Sequence, residues 1–253
     1  VLLLTVFVPI TLLALTGTGT ALDPYVITSC QDLEDIGNDL SGFYELGSDV
    51  DCSGFVDFVP IGLDPIGTTV SPFTGSLDGN GFTISNLNLD GPSLATTYTL
   101  VSGDLNDYYS LFLEADGASF SNINFVDGLV TAIDGANVAG LVAYAGSGAV
   151  TIDSVSFSNY AVSSLNNNSF YGVGGIVGAT YDRVDFNNVS FDGTIDTNND
   201  AATGGIIGEF IGYGSMNDVQ VSGTINGGGY GTGGAAGYIY PDNSTFEKKI
   251  LLF

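Results

Sequence analysis

A block of four residues, small-apolar-apolar-small, returns at near-constant intervals along this sequence and restricts its fold more than any other feature. The copies are Gly140-Leu141-Val142-Ala143, Gly175-Ile176-Val177-Gly178, Gly205-Ile206-Ile207-Gly208 and Gly234-Ala235-Ala236-Gly237, with a degenerate one at Ser110-Leu111-Phe112. The steps between their first residues are 30, 35, 30 and 29. A second motif, polar-apolar-x-apolar, interleaves with them: Asn86-Leu87-Asn88-Leu89, Asn122-Ile123-Asn124-Phe125, Ser154-Val155-Ser156-Phe157, Asn188-Val189-Ser190-Phe191 and Asp218-Val219-Gln220-Val221. Strict alternation of apolar and polar residues marks strands with one buried face. A third apolar position follows at Val162, Ile195 and Ile225.

Three short strands per roughly thirty-residue unit describe one coil of a solenoid, which cannot bury its inner face without its neighbours. The expectation is an all-β, right-handed parallel β-helix. A propeller would need four strands per blade. The composition agrees, with 37 glycines and only 12% charged residues, so tight-turned β structure is favoured over helices.

Acidic residues number 28 against 3 basic ones, a net charge of −25. Such a chain repels phosphate backbones and anionic lipid surfaces, so nucleic acid is excluded as a partner. Residues 1–15 form an apolar run too short to span a bilayer comfortably, so no stable transmembrane span is expected. With the small residues that follow, segment 1–21 reads either as the remnant of a secretory signal or as a retained assembly segment that pairs with a neighbouring subunit. Both point to an extracellular or cell-surface, secreted protein.

Residues 22–60 read as an N-terminal cap built around one helix at 29–40, in which Ser29 caps and Leu33, Ile36 and Leu40 share a face. The repeats then occupy 61–253. In an exported chain Cys30 and Cys52 read as a disulfide, with two buried thiols as the alternative.

Several further segments carry a resemblance. They are Pro24-Tyr25-Val26-Ile27, Phe43-Tyr44-Glu45-Leu46, Asp49-Val50-Asp51, Pro60-Ile61-Gly62 and the run from Pro72-Phe73-Thr74-Gly75 to Thr83-Ile84. With the Gly-apolar-apolar-Gly blocks, they resemble the GLUG-repeat β-helices of microbial surface proteins over about residues 23–240. The resemblance implies a β-helix and a surface location; it does not imply an activity.

Many β-helices act on polysaccharides, which makes the carboxylates candidate catalysts. Asp78, Asp116, Asp127 and Asp192 each precede a glycine, as coil corners require. A uronate lyase needs a basic residue, and Arg183 lies between Asp182 and Asp185. The expectation is no enzyme, no catalytic residue and no cofactor. Asp196, Asn198 and Asp200 have the opening spacing of a calcium loop, but Ala201 and Ile207 stand where its glycine and closing glutamate belong. At most a calcium ion would be held at that loop. The recurring Asn86, Asn122, Ser154, Asn188 and Asp218 read as an axial hydrogen-bonded ladder, with Asn188 inaccessible. Glycosylation sequons fall at Asn167, Asn188 and Asn243.

The leading expectation is a non-catalytic structural protein of the cell surface, a self-assembling filament or surface-layer-like subunit joined head to tail through apolar termini. The alternative is an adhesin that binds a glycan or a host surface through loops, with Tyr98, Tyr108 and Tyr109 as candidate contacts. A polysaccharide lyase or hydrolase is the second alternative.

Overall fold

A computed structural model describes residues 15–64, 67, 69–90, 108–132, 137–164, 171–197 and 201–240, with the backbone of strand Lys248–Ile250. Parallel strands stack along one axis into a 12-stranded sheet and two 5-stranded sheets. The fold is therefore a parallel β-solenoid. Among the described residues no helix is long and apolar enough to cross a membrane.

The register shows how the sequence repeat becomes a core. In the long sheet, Tyr44, Leu77, Phe120, Ile152, Phe186 and Met216 occupy successive rungs of one inward column. A second column runs Val50, Ile84, Phe125, Phe157, Phe191 and Val221. A third runs Leu89, Val130, Val162, Ile195 and Ile225. Each buried large side chain contributes about 1.5–3 kcal/mol of transfer free energy.

These columns correct one alignment. Leu89 belongs with Val162 and Ile195, so Asn86-Leu87-Asn88-Leu89 is not the first copy of the Asn122-Ile123-Asn124-Phe125 motif. The partner of Phe125 is Ile84. Two different corners of the coil share the polar-apolar-x-apolar pattern, so alternation alone could not separate them.

The glycine blocks form a tight reversal between the two smaller sheets. One contains Tyr108–Tyr109, Asn137–Ala139, Gly172–Gly174, Ala202–Gly204 and Gly231–Gly233; the other contains Phe112–Ala115, Val142–Ala145, Val177–Thr180, Ile207–Phe210 and Ala236–Ile239. Their backbones touch. A Cβ on Gly208 would lie 2.2 Å from the Val173 nitrogen, and one on Gly237 would lie 2.3 Å from the Thr203 nitrogen. Glycine is needed here because another backbone approaches where a side chain would stand. Reading the flanking register, this position is Leu113, Ala143, Gly178, Gly208 and Gly237 in successive coils. The filling side chain therefore shrinks toward the C-terminal end.

At the N-terminal end the helix is shorter than its apolar spacing implied. An α-helix covers Cys30–Glu34 and a single 3-10 turn continues over Asp35–Asn38. Asp35, Gly37 and Asn38 are poor helix formers, which accounts for the early stop. The Ser29 hydroxyl accepts a hydrogen bond from the Asp32 amide at 3.1 Å, and Leu33 and Ile36 are fully buried. Cys30 and Cys52 form a disulfide. The parallel stack already begins within 22–60: Tyr25–Ile27 pairs with Phe43–Leu46, and that strand pairs with Ser76–Asp78. At its outer edge Thr16 forms an isolated antiparallel bridge to Val26, and the Gly19 carbonyl accepts a hydrogen bond from the Phe43 amide of the next strand.

Candidate functional site

The recurring polar residues stand at bends. Asn80, Asn122, Ser154, Asn188 and Asp218 mark one corner, and Asn86, Asp127 and Asn159 mark another, all with φ between 50° and 56°. Asn and Asp tolerate this left-handed conformation because their short side chains bond locally. Axial hydrogen bonds do form: Asn122 Nδ2 donates to Asp78 Oδ1 at 3.0 Å, Asn86 Nδ2 to Asp51 Oδ1 at 2.8 Å, and Asn188 Nδ2 to Ser154 Oγ at 3.2 Å. They link unlike groups on the outer surface. Asn188 is exposed, contrary to the expectation that it is inaccessible, because a left-handed corner points its side chain outward. Asn167, Asn243, Asn198, Asp200 and Tyr98 lie outside the described residues.

The acids weighed as catalysts serve turns and rungs. Asp78 Oδ1 accepts from the Asn80 amide, Asp127 Oδ1 from Asn159 Nδ2 at 2.5 Å, and Asp192 Oδ1 from the Ser222 hydroxyl at 2.6 Å. The Asp116 amide donates to the Phe73 carbonyl, and Gly117 turns the chain at φ +67. Arg183 is held by Asp185 at 2.6 Å. Asp196 is exposed in strand Arg183–Thr197, opposite Ser163 and Asn226. Among the described residues, no three His, Cys, Asp or Glu side chains gather as a metal ion would require.

Tyrosines concentrate on the outer side of the smaller sheets. The ring of Tyr108 packs on Tyr144 at 5.4 Å, and Tyr144 on Tyr181 at 5.7 Å. Two coils further on, Tyr230 packs on Tyr238 at 5.0 Å and Tyr238 on Tyr240 at 6.4 Å. Carboxylates lie among them. One register row reads Glu114, Tyr144, Ala179, Glu209, Tyr238. Burial, then Glu114 and Asp182, raise the Tyr144 hydroxyl pKa above its ordinary value. Burial, then Glu209, do the same for Tyr181. The Glu209 carboxyl is itself raised, by burial.

Of the tyrosines singled out in the sequence, Tyr108 lies in the other small sheet, opposite Asn137, and reaches this row through its ring contact with Tyr144. Tyr109 lies in the adjoining column, opposite Val138. Sequence reasoning missed Tyr144, Glu209 and Tyr238. A signal existed: all three stand four residues beyond the first residue of a glycine block, as do Glu114 and Ala179.

The C-terminal end differs from the rest of the stack. Val221 and Ile225 are half-buried, whereas Phe191 and Ile195, one coil earlier, are fully buried. They line a groove of about 410 Å³ together with Gly223, Thr232 and Gly234. Lys248–Ile250 pairs with residues 216–219 at this edge.

No protein-family model matches the chain. Among curated proteins, Halomucin of Haloquadratum walsbyi is 39% identical over 99 residues, which cover 36% of this chain and 1% of that protein. A protein provisionally named as a Gly-rich membrane protein, from Evansella cellulosilytica, is 34% identical over 71 residues, 27% of this chain and 8% of the other. The chain thus spans a small fraction of the curated relatives it matches. Among solved structures, a Bacteroides ovatus protein provisionally described as an immunoglobulin A1 protease aligns over 86% of each chain with a TM-score of 0.37 and 15% identity. That likeness is too distant to bear on function.

Proposed function

We propose that this chain is a non-catalytic structural module of an extracellular, cell-surface protein, and that it associates head to tail. The observation that carries the association is the asymmetry of the stack's two ends. The first strand is edged by an antiparallel segment, whereas strands Gly231–Gly233 and Ala236–Ile239 have no described strand on their outer side. The edge those two strands present among the described residues, beside a half-buried apolar groove, is a template for another coil. Similarity to a stretch of Halomucin supports the surface location, as does a disulfide, which persists in oxidising compartments. Exposed axial rows of Asp, Asn and Ser keep the outer wall hydrated.

Electron microscopy of the purified protein tests the reading. Regular polymers that grow with concentration are expected. Monodisperse single particles at millimolar concentration would refute head-to-tail association. A glycan-binding adhesin is the competing reading, favoured by the exposed tyrosine rows; glycan-array binding lost on replacing Tyr181 would establish it.

A further inference from the structure

Two Asn-Gly pairs occur in the chain, Asn80-Gly81 and Asn226-Gly227. All four residues are exposed, so exposure does not distinguish the pairs. Their hydrogen bonds do. Asn80 Nδ2 donates to the Leu46 carbonyl at 3.1 Å and to Glu45 Oε2 at 3.3 Å, and the Gly81 amide donates to the Asn122 carbonyl at 2.9 Å. Both halves of the first pair are thus tied to neighbouring rungs.

The second pair is held differently. Asn226 ends strand Tyr213–Asn226 opposite Asp196, and its main-chain carbonyl accepts from Thr197 Oγ1 at 3.3 Å. Among the described residues, nothing bonds to its side-chain amide or to the Gly227 amide, and the next donor along, the Gly228 amide, reaches Thr197 Oγ1 at 3.1 Å. Glycine is imposed here by packing, since a Cβ on Gly227 would lie 1.8 Å from Thr232 Oγ1. The fold therefore sets an unrestrained asparagine side chain before a residue with no side chain to shield its amide nitrogen.

We propose that Asn226 is a site of spontaneous covalent modification, at which its side-chain amide cyclises onto the Gly227 nitrogen. That nitrogen bonds to Asn226 Cγ, the Cγ–Nδ2 bond breaks, and ammonia leaves with the glycine amide proton. Water then opens the cyclic imide. Attack at Cγ gives aspartate, and attack at the main-chain carbonyl gives isoaspartate, with an extra methylene in the backbone. Either product sets a new carboxylate on the rung beside Asp196, and isoaspartate turns the carbonyl that Thr197 binds into that carboxylate. The reaction is intramolecular and gains from the enforced proximity of the two groups. Groups held by hydrogen bonds in a rung react only from locally opened states, which protects Asn80.

The test is incubation of the full chain in mildly alkaline buffer, folded and in urea, with both peptides mapped by mass spectrometry and isoaspartyl methyltransferase labelling. In the folded protein Asn226 should convert about tenfold faster than Asn80, and in urea the two sites should react at similar rates. Asn226→Gln, whose longer side chain closes the imide ring poorly, should abolish the fast conversion and leave that of Asn80 unchanged. Equal conversion of the two sites in the folded chain would overturn the proposal. So would an Asn226 slowed relative to urea as strongly as Asn80 is. Fast labelling that survives Asn226→Gln would place the reaction at another residue and overturn it as well.

Discussion

The first and last coils perform the same stacking with opposite materials. Near the N-terminal end the interior is filled by rings: Phe73, Phe112 and Phe120 lie 4.8 to 5.7 Å apart, with Tyr44 next to Phe73. A disulfide, a capped helix and the antiparallel Thr16–Val26 bridge lie at that end. At the C-terminal end the equivalent space is narrowed by Gly208 and Gly237, whose backbones touch the facing sheet. There the second and third columns reach Val221 and Ile225, both half-buried, whereas Met216 of the first is buried. A solenoid can thus close its section with aromatic volume or with glycine lamination. The first packs its coil with rings, and the second leaves Val221 and Ile225 of the last fully described coil half-buried.

The comparison is broken most severely within the second column. Phe191→Ala should cost about 3–5 kcal/mol through transfer and cavity terms. Val221→Ala, one coil later, should cost roughly 1 kcal/mol, because its side chain is already half in water. Urea denaturation of the two variants measures the contrast, and equal losses would show that the last coil is buried after all. Next in size is the disulfide, which encloses a sequence separation of 22. Cys30→Ser with Cys52→Ser should lower stability by about 3 kcal/mol and loosen the N-terminal coils selectively. Limited proteolysis locates the loosened region.

Gly208→Ala should then cost about 1–3 kcal/mol, as overpacking between backbones. The reciprocal Ala143→Gly should cost under about 1 kcal/mol, mainly through the entropy of glycine. Comparable thermal melts for the two variants would argue against lamination.

The smallest expected effect is at Glu209, and its sign follows from burial. The folded state raises its pKa above the ordinary 4.5, so it binds this proton more tightly than the unfolded chain does. The stability linked to that proton is fully present below the unfolded pKa and is lost as pH rises through the folded one. Glu209→Gln should therefore melt slightly higher than the natural protein at pH 7, and the difference should vanish near pH 4. A variant that melts lower at pH 7 would reveal a partner for the carboxylate.

Much of this architecture was legible because the two periods carry independent information. The glycine blocks mark the same turn in every coil, and their steps of 30, 35, 30 and 29 separate the rungs found in the structure. The Cys30–Cys52 pairing was legible from compartment and number. The register of Asn86 was not, because Asn86 and Asn122 both precede apolar-x-apolar and both adopt positive φ at different corners. The tyrosine and glutamate row escaped for another reason. Its members are two glutamates, two tyrosines and one alanine, and only stacking at about 4.8 Å brings them into one surface. The length of the helix is not legible from spacing either, since the interval of Leu33, Ile36 and Leu40 does not weigh the glycine and asparagine between them.

Amide hydrogen exchange followed residue by residue tests the central claim most directly, at a concentration where the protein is monomeric. The account predicts strong protection in strands Val150–Ser164 and Arg183–Thr197, substantial protection in Phe43–Leu46, and much faster exchange through Tyr213–Asn226 and Ala236–Ile239. Protection of the last strands equal to that of Val150–Ser164 in the monomer would contradict it, because the C-terminal end would then be closed.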